Sequence, residues 1–238
     1  MNIKILLLLN IIVFCLIFGG IRREKLEMKK KKVAIGICGQ PRTFQKCYQS
    51  LYDNVINCNT DYEFDIYLVT WDKDYNEHKV ELEECYPNHE KILLTNEDKE
   101  NIDKKPENIC NLHKSEKYYI TQLYQWQKFI NNINSKYDII MKTRFDINLL
   151  HKINFNNINN NNILTSNSGA TKYNVDDQVV IGNINNMKYM LNILDDKLEL
   201  DRDVSKHFNE EINLETLLGF IFTKYNIKVE NIKYKIIR

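Results

Sequence analysis

The sequence predicts an α/β fold: a doubly wound, mostly parallel sheet flanked by helices and preceded by an N-terminal hydrophobic segment. Two observations carry this expectation. Short apolar runs rich in Val and Ile alternate with stretches of helical spacing, the pattern of βαβ units. Gly, Pro or clustered polar residues close the runs, as they do where strands end.

The first run is Val33–Cys38, ended by Gly39-Gln40-Pro41-Arg42. Phe44, Cys47, Tyr48, Leu51 and Val55 then recur at helical spacing. Phe64–Thr70 (FDIYLVT) is a second strand, followed by Trp71-Asp72, and Lys91–Thr95 is a short third. Glu97–Asn111 is polar, charged and contains Pro106, so it reads as a loop or insertion. Ser115–Asn134 carries Tyr119, Leu123, Trp126, Ile130 and Ile133, a helical stripe. Tyr137–Lys142 (YDIIMK) reads as a buried strand leading into Thr143-Arg144-Phe145-Asp146. The Asn run 156–162 reads as a tolerated surface loop in a chain with 32 Asn and an AT-rich codon bias. Val179–Gly182 is another strand, preceded by Asp176-Asp177-Gln178. Met187–Leu198 and Leu214–Tyr225 read as helices, and Ile227–Ile237 closes the chain with period-two alternation.

The formal net charge of +1 sums two unlike parts. Residues 1–32 hold eight Lys and Arg against two Glu, a surplus of +6, so residues 33–238 carry −5. The expected organisation is an anchor or signal with a basic juxtamembrane segment at 1–32 and one domain at 33–238. Residues 3–21 form an apolar stretch broken by Lys4 and Asn10, about long enough to span a bilayer. It reads as an uncleaved single-pass anchor, with a cleaved signal as the alternative. The Lys and Arg behind it favour a cytoplasmic domain, with a lumenal or secreted one as the alternative. The absence of any Asn-x-Ser/Thr sequon agrees with the cytoplasmic side. The six Cys show no CxxC and no regular spacing, so they read as free thiols. A basic collar directly behind an apolar span suits an anionic leaflet, and nucleic acid is not an expected partner.

In open α/β sheets ligands bind at the carboxyl ends of the strands, so chemistry is sought there. Gly39 lets a ligand approach the backbone after the first strand, and Arg42 offers a planar fork for phosphate. The plain alternative is a turn with a surface Arg. Trp71 and Asp72 suit stacking and hydrogen bonding of a base or sugar, or else a core-edge ring and a helix cap. Asp146 is a carboxylate placed to hold a divalent cation, and Arg144 a cation placed to meet phosphate; a structural ion pair is the alternative. Asp176 and Asp177 are adjacent acids in a polar segment, able to share a proton or a cation or to form a solvated turn. The five His show no metal-ligand spacing, and no GxSxG, GxGxxG or P-loop motif is present.

Taken in order, VAIGICGQPRTF, FDIYLVTWD, YDIIMKTRFDI, VDDQVVIGN, the Asn213–Leu218 helix and the terminal Tyr234–Arg238 resemble GT-A-like glycosyltransferases of bacterial surface-polysaccharide loci and large DNA viruses. The resemblance spans residues 33–238. It implies a nucleotide-diphosphate-sugar donor, a glycan or other acceptor, and a D-x-D motif that binds Mn²⁺ or Mg²⁺. The matching place reads Arg144-Phe145-Asp146. Either Asp146 still binds a metal, with Asp176 or Asp177 helping, or Arg144 replaces part of the ion's charge. By the same resemblance Gly39, Gln40 and Arg42 lie along the nucleotide and Trp71 and Asp72 near its base or ribose. Asp176, Asp177 and Glu215 are then the candidates for the acceptor-activating base, which an inverting mechanism needs and a retaining one does not need in the same form. The alternatives are a catalytically inactive GT-A-like module tethered to a membrane and an unrelated α/β phosphotransferase.

Overall fold

The computed structural model of the chain describes residues 30–104, 117–133, 136–166, 175–194, 200, 203–204, 206–208 and 212–237. The apolar stretch 3–21 and Cys110 lie outside these residues. Lys31–Arg238 forms a compact unit of its own. No helix among the described residues is long and apolar enough to cross a membrane.

The core begins with β1 (Lys31–Cys38), whose last six residues are all buried. Its side chains alternate between two apolar layers. Val33, Ile35 and Ile37 enter one, and Ala34 and Cys38 the other. β2 (Tyr62–Trp71) and β4 (Ile139–Thr143) pair with β1 in parallel, and β3 (Glu90–Leu94) pairs in parallel with β2. The sheet continues through β7 (Val180–Asn183) and β6 (Asn162–Thr165) to β8 (Lys228–Asn231), in the order β3-β2-β1-β4-β7-β6-β8. Only β7 runs against the others. The chain builds outward from β1 to β3 and then returns to lay β4 on the other side of β1. The strand order therefore reverses between β1 and β4, where α/β sheets open a crevice.

Helices cover both faces. Helices α1 (Phe44–Leu51), α2 (Asp72–Glu77) and α3 (Lys79–Cys85) pack on the Ile35 face. Helices α4 (Asn96–Asp103), α5 (Lys117–Asn132), α6 (Ile184–Leu191) and α7 (Leu214–Lys224) pack on the other. The apolar stripe of α5 buries Leu123, Trp126, Phe129 and Ile130 against the strands, each worth about 1.5–3 kcal/mol of burial. Gly36 makes this contact possible, since a Cβ there would come within 2.5 Å of the Phe129 ring.

Several segments differ from their sequence-based expectation; the helix expected at Met187–Leu198, for one, spans Ile184–Leu191. Asn96–Asp103 is a helix where a loop was expected. The Asp98 carboxylate accepts the Thr95 backbone N–H at 2.8 Å and meets Lys128 Nζ at 2.8 Å and the Tyr124 hydroxyl at 2.8 Å. Capping and long-range pairing thus outweigh the weak propensity of a polar octapeptide. The terminal Ile227–Ile237 stretch is two strands, since β8 joins the main sheet while β9 (Tyr234–Ile236) pairs antiparallel with β5 (Ile147–Leu149). The Asn run ends inside β6, and Asn162 is buried, donating to Asn157 O and Glu230 Oε1.

Candidate active site

A cavity of about 430 Å³ opens at the carboxyl ends of β1, β2 and β4, where the strand order reverses. Its volume falls in the range of small-molecule sites, roughly 300–1,000 Å³. Gly39, Gln40, Arg42, Trp71, Arg144 and Asp146 all contribute to its wall. Gly39 sits at φ +119°, a conformation that favours glycine, and continues the ladder by donating to Val69 O at 3.0 Å. Beyond Gly39, Thr43 Oγ1 donates to Ile237 O and Ile237 N donates to Asp146 O, both at 2.8 Å. The C-terminal strand thereby ties the loop after β1 to the loop after β4.

Arg144 and Asp146 form a bidentate ion pair, with Nε to Oδ1 at 2.9 Å and Nη2 to Oδ2 at 2.6 Å. Arg144 Nη1 also donates to Gln178 Oε1. This fork-to-carboxylate geometry is the strong form of such pairs.

Sequence reasoning missed Lys142 and the wall supplied by α5. Lys142 ends a run of otherwise apolar residues in β4 and is fully buried. It shares the face of Ile140, opposite to Met141, so its side chain turns toward α5. Its ammonium donates to the backbone carbonyls of Asp177 and Gln178 and lies 4.5 Å from the centre of the Trp126 ring. Burial pushes the ammonium's pKa down, opposed chiefly by the Asp177 charge. From α5, Gln122, Gln125 and Trp126 join the wall. The Trp126 Nε1–H is buried without a hydrogen-bond partner. A Lys inside a strand of apolar residues was the available signal, because a charge seldom enters a core without a partner. Cys38 also borders the cavity, but burial pushes its thiol up to about 12, so it is no thiolate nucleophile at neutral pH.

The remaining expected residues lie elsewhere. Asp72 starts α2, is exposed, and accepts from Asn76 Nδ2 at 3.1 Å. Asp176, Asp177 and Glu215 come together as a cluster, each offering a carboxylate oxygen within 4.8 Å of the others. Glu215 enters from the first turn of α7, far along the chain from the two Asp. Asp177 is buried, and its two oxygens accept from the side-chain amides of Gln122 and Gln178. Gln122 and Lys142 belong to the cavity wall and also touch Asp177, so the acids border the cavity without forming its wall. Burial and the neighbouring Asp176 hold the Tyr234 phenol well above its ordinary range.

Two carboxylate sets bear on a divalent cation. Asp146 stands where the resemblance expects a ligand, yet both its oxygens are engaged by Arg144. Among the described residues, the only other charged groups on that wall are Arg42, Lys142 and Arg144 itself. That donor set does not fit a hard cation bridging a diphosphate, which needs free carboxylate oxygens. The Asp176–Asp177–Glu215 cluster has the right ligand chemistry, but it lies outside the wall.

No family model matches the chain, and no curated protein matches it. Among solved structures, mouse xyloside xylosyltransferase 1 in its apo form matches with a TM-score of 0.52 at 8% identity, over 85% of each chain. The galactosyltransferase LgtC, in complex with donor and acceptor sugar analogues, matches with a TM-score of 0.46 at 12% identity, over 80% of this chain and 70% of that one. The likeness to the first is one of fold: a mixed α/β, GT-A-like architecture with a mostly parallel central sheet.

Proposed function

We propose that the chain is a glycosyltransferase that moves a sugar from a nucleotide diphosphate to a glycan or other hydroxyl acceptor. The carrying observation is the cavity at the β1/β4 reversal, which presents Arg42, Lys142 and Arg144 beside Trp71. In this reading the diphosphate faces the cationic side chains and the base or ribose faces Trp71. Gly39, at its positive φ and with nothing within 4 Å of a would-be Cβ, leaves the backbone open to the nucleotide. In transfer, a bond forms between the acceptor oxygen and the sugar's anomeric carbon, and the bond from that carbon to the diphosphate breaks. If the transfer inverts, one of Asp176, Asp177 and Glu215 takes the acceptor's proton. Asp177 is held by two side-chain amides, and Asp176 Oδ1 accepts the Gln178 backbone N–H at 2.9 Å.

A second reading, an inactive binding module of the same fold, is favoured by the Arg144–Asp146 pair at the metal position. One experiment separates the two. The full chain in detergent is incubated with radiolabelled UDP-, GDP- and dTDP-sugars, and hydrolysis or transfer is measured. Turnover of one donor, lost in Arg42→Ala, supports the enzyme; binding without turnover supports the module.

The proposal also keeps the chain at a membrane through residues 3–21, a reading made from sequence alone. Retention in the pellet after carbonate extraction is the expected result, and release would refute it.

A further inference from the structure

We infer that this cavity holds its anionic ligand, the diphosphate of a nucleotide sugar, by protein cations alone, with Lys142 and Arg42 in place of a divalent metal. The inference rests on the proposed donor site and specifies how that site works. Three observations support it.

The first is a charge balance. The wall carries Arg42, Lys142, Arg144 and Asp146. Arg144 and Asp146 cancel one another through their two hydrogen bonds. Among the described residues, what remains on the wall is the cationic pair Arg42 and Lys142, with Asp177 behind it as the acid nearest Lys142; two cations suit the two negative charges of the diphosphate diester in a nucleotide sugar. A divalent ion added here would leave an excess of positive charge with no free carboxylate to receive it.

The second is the state of Lys142. A buried charge is costly unless paired. Among the described residues Lys142 forms no ion pair with a carboxylate; two backbone carbonyls and an indole face hold it. Carbonyls and a ring fix its position, and the nearby Asp177 charge opposes the effect of burial without closing an ion pair. An ammonium kept this way behind a cavity wall has no carboxylate in direct contact, and a phosphate in the cavity supplies a further anion.

The third is Trp126 on the same wall. Among the described residues its buried Nε1–H has no acceptor. An unsatisfied donor beside a buried ammonium adds positive potential that suits an oxygen-rich anion, whereas a metal ion offers nothing to a donor.

The test is a titration of the full chain in detergent with UDP, GDP and dTDP, by calorimetry, in EDTA and in Mn²⁺. The variants are Lys142→Met, which keeps the volume, and Arg42→Ala, at an exposed position where folding is not at stake. Thermal melts confirm that each variant is folded. The expected result is that one nucleotide binds equally well in EDTA and Mn²⁺, within about threefold, and that each variant weakens it by roughly tenfold or more. Binding that EDTA abolishes would overturn the inference and leave the proposed donor site standing. Metal-independent binding that neither variant weakens would overturn the assignment to these cations. No binding of any nucleotide, with or without Mn²⁺, would overturn the donor site itself.

Discussion

Arg144 grips Asp146, two residues along the same loop, through a pair of hydrogen bonds at 2.9 and 2.6 Å. The carboxylate is buried and the guanidinium partly so. Arg144 thus engages both oxygens of its neighbour's carboxylate.

Replacing Arg144 should therefore change the response to metal. In Arg144→Asp, Asp146 loses its partner and a second carboxylate arrives two residues away. Mn²⁺ is expected to raise the melting temperature of this variant by several degrees and to leave the wild type within about one degree. In the absence of metal, Arg144→Ala should lose about 1–3 kcal/mol, because a buried carboxylate is left unpaired. Urea unfolding with and without Mn²⁺ measures both effects, and equal metal responses in wild type and Arg144→Asp would refute the account.

Lys142 should separate stability from binding. Exchange of a buried charge for an apolar side chain of similar volume is commonly neutral or stabilising. Lys142→Met is thus expected to melt at or above the wild-type temperature. A loss of more than about 2 kcal/mol on urea unfolding would show that the ammonium serves the fold instead.

Gly36 sets the approach of α5 to the sheet. Gly36→Ala places a methyl group 2.5 Å from the Phe129 ring, and overpacking of this kind costs about 1–3 kcal/mol. The double variant Gly36→Ala/Phe129→Leu should unfold with less than the sum of the two single losses, a coupling that urea denaturation of the full cycle reads directly. Strict additivity would mean that the two side chains do not meet.

Asp98 should contribute to acid sensitivity. Burial alone would raise its pKa, but the Lys128 ammonium, the Thr95 N–H and the Tyr124 hydroxyl together hold it below the ordinary carboxylate value. A carboxylate with a lowered folded pKa stabilises the protein above its unfolded pKa and loses that contribution as the pH falls through the folded one. Stability should thus decline on acidification below about pH 4. Asp98→Asn, which also loses the ion pair, should be less stable by about 1–2 kcal/mol at neutral pH and show a flatter acid limb. Chemical denaturation at stepped pH distinguishes the two chains.

Much of this arrangement was legible in the amino-acid order. Continuous apolar runs mark β1, β2 and β4, and the rule that ligands gather at strand ends points to Gly39, Arg42, Trp71 and Arg144, all of which line the cavity. Asp72 follows a strand in the same way yet faces solvent, because the first turn of α2 carries it off the wall. The helix at Asn96–Asp103 was illegible because its stability comes from Lys128 and Tyr124, more than twenty residues away.

By itself the sequence determined the strands, the face each alternating side chain takes, and the polar residues at the strand ends. Those properties depend on local periodicity and on Gly and Pro chemistry. Only the tertiary structure decided which strand ends are neighbours, so that β1 and β4 share a crevice and α5 roofs it. It likewise decided that Arg144 is matched with Asp146, that Lys142 faces an indole rather than a carboxylate, and that Glu215 joins two distant Asp. The physical reason is that charge pairing acts through space over a few ångströms, and distances between residues far apart in the chain are set by sheet order and helix packing.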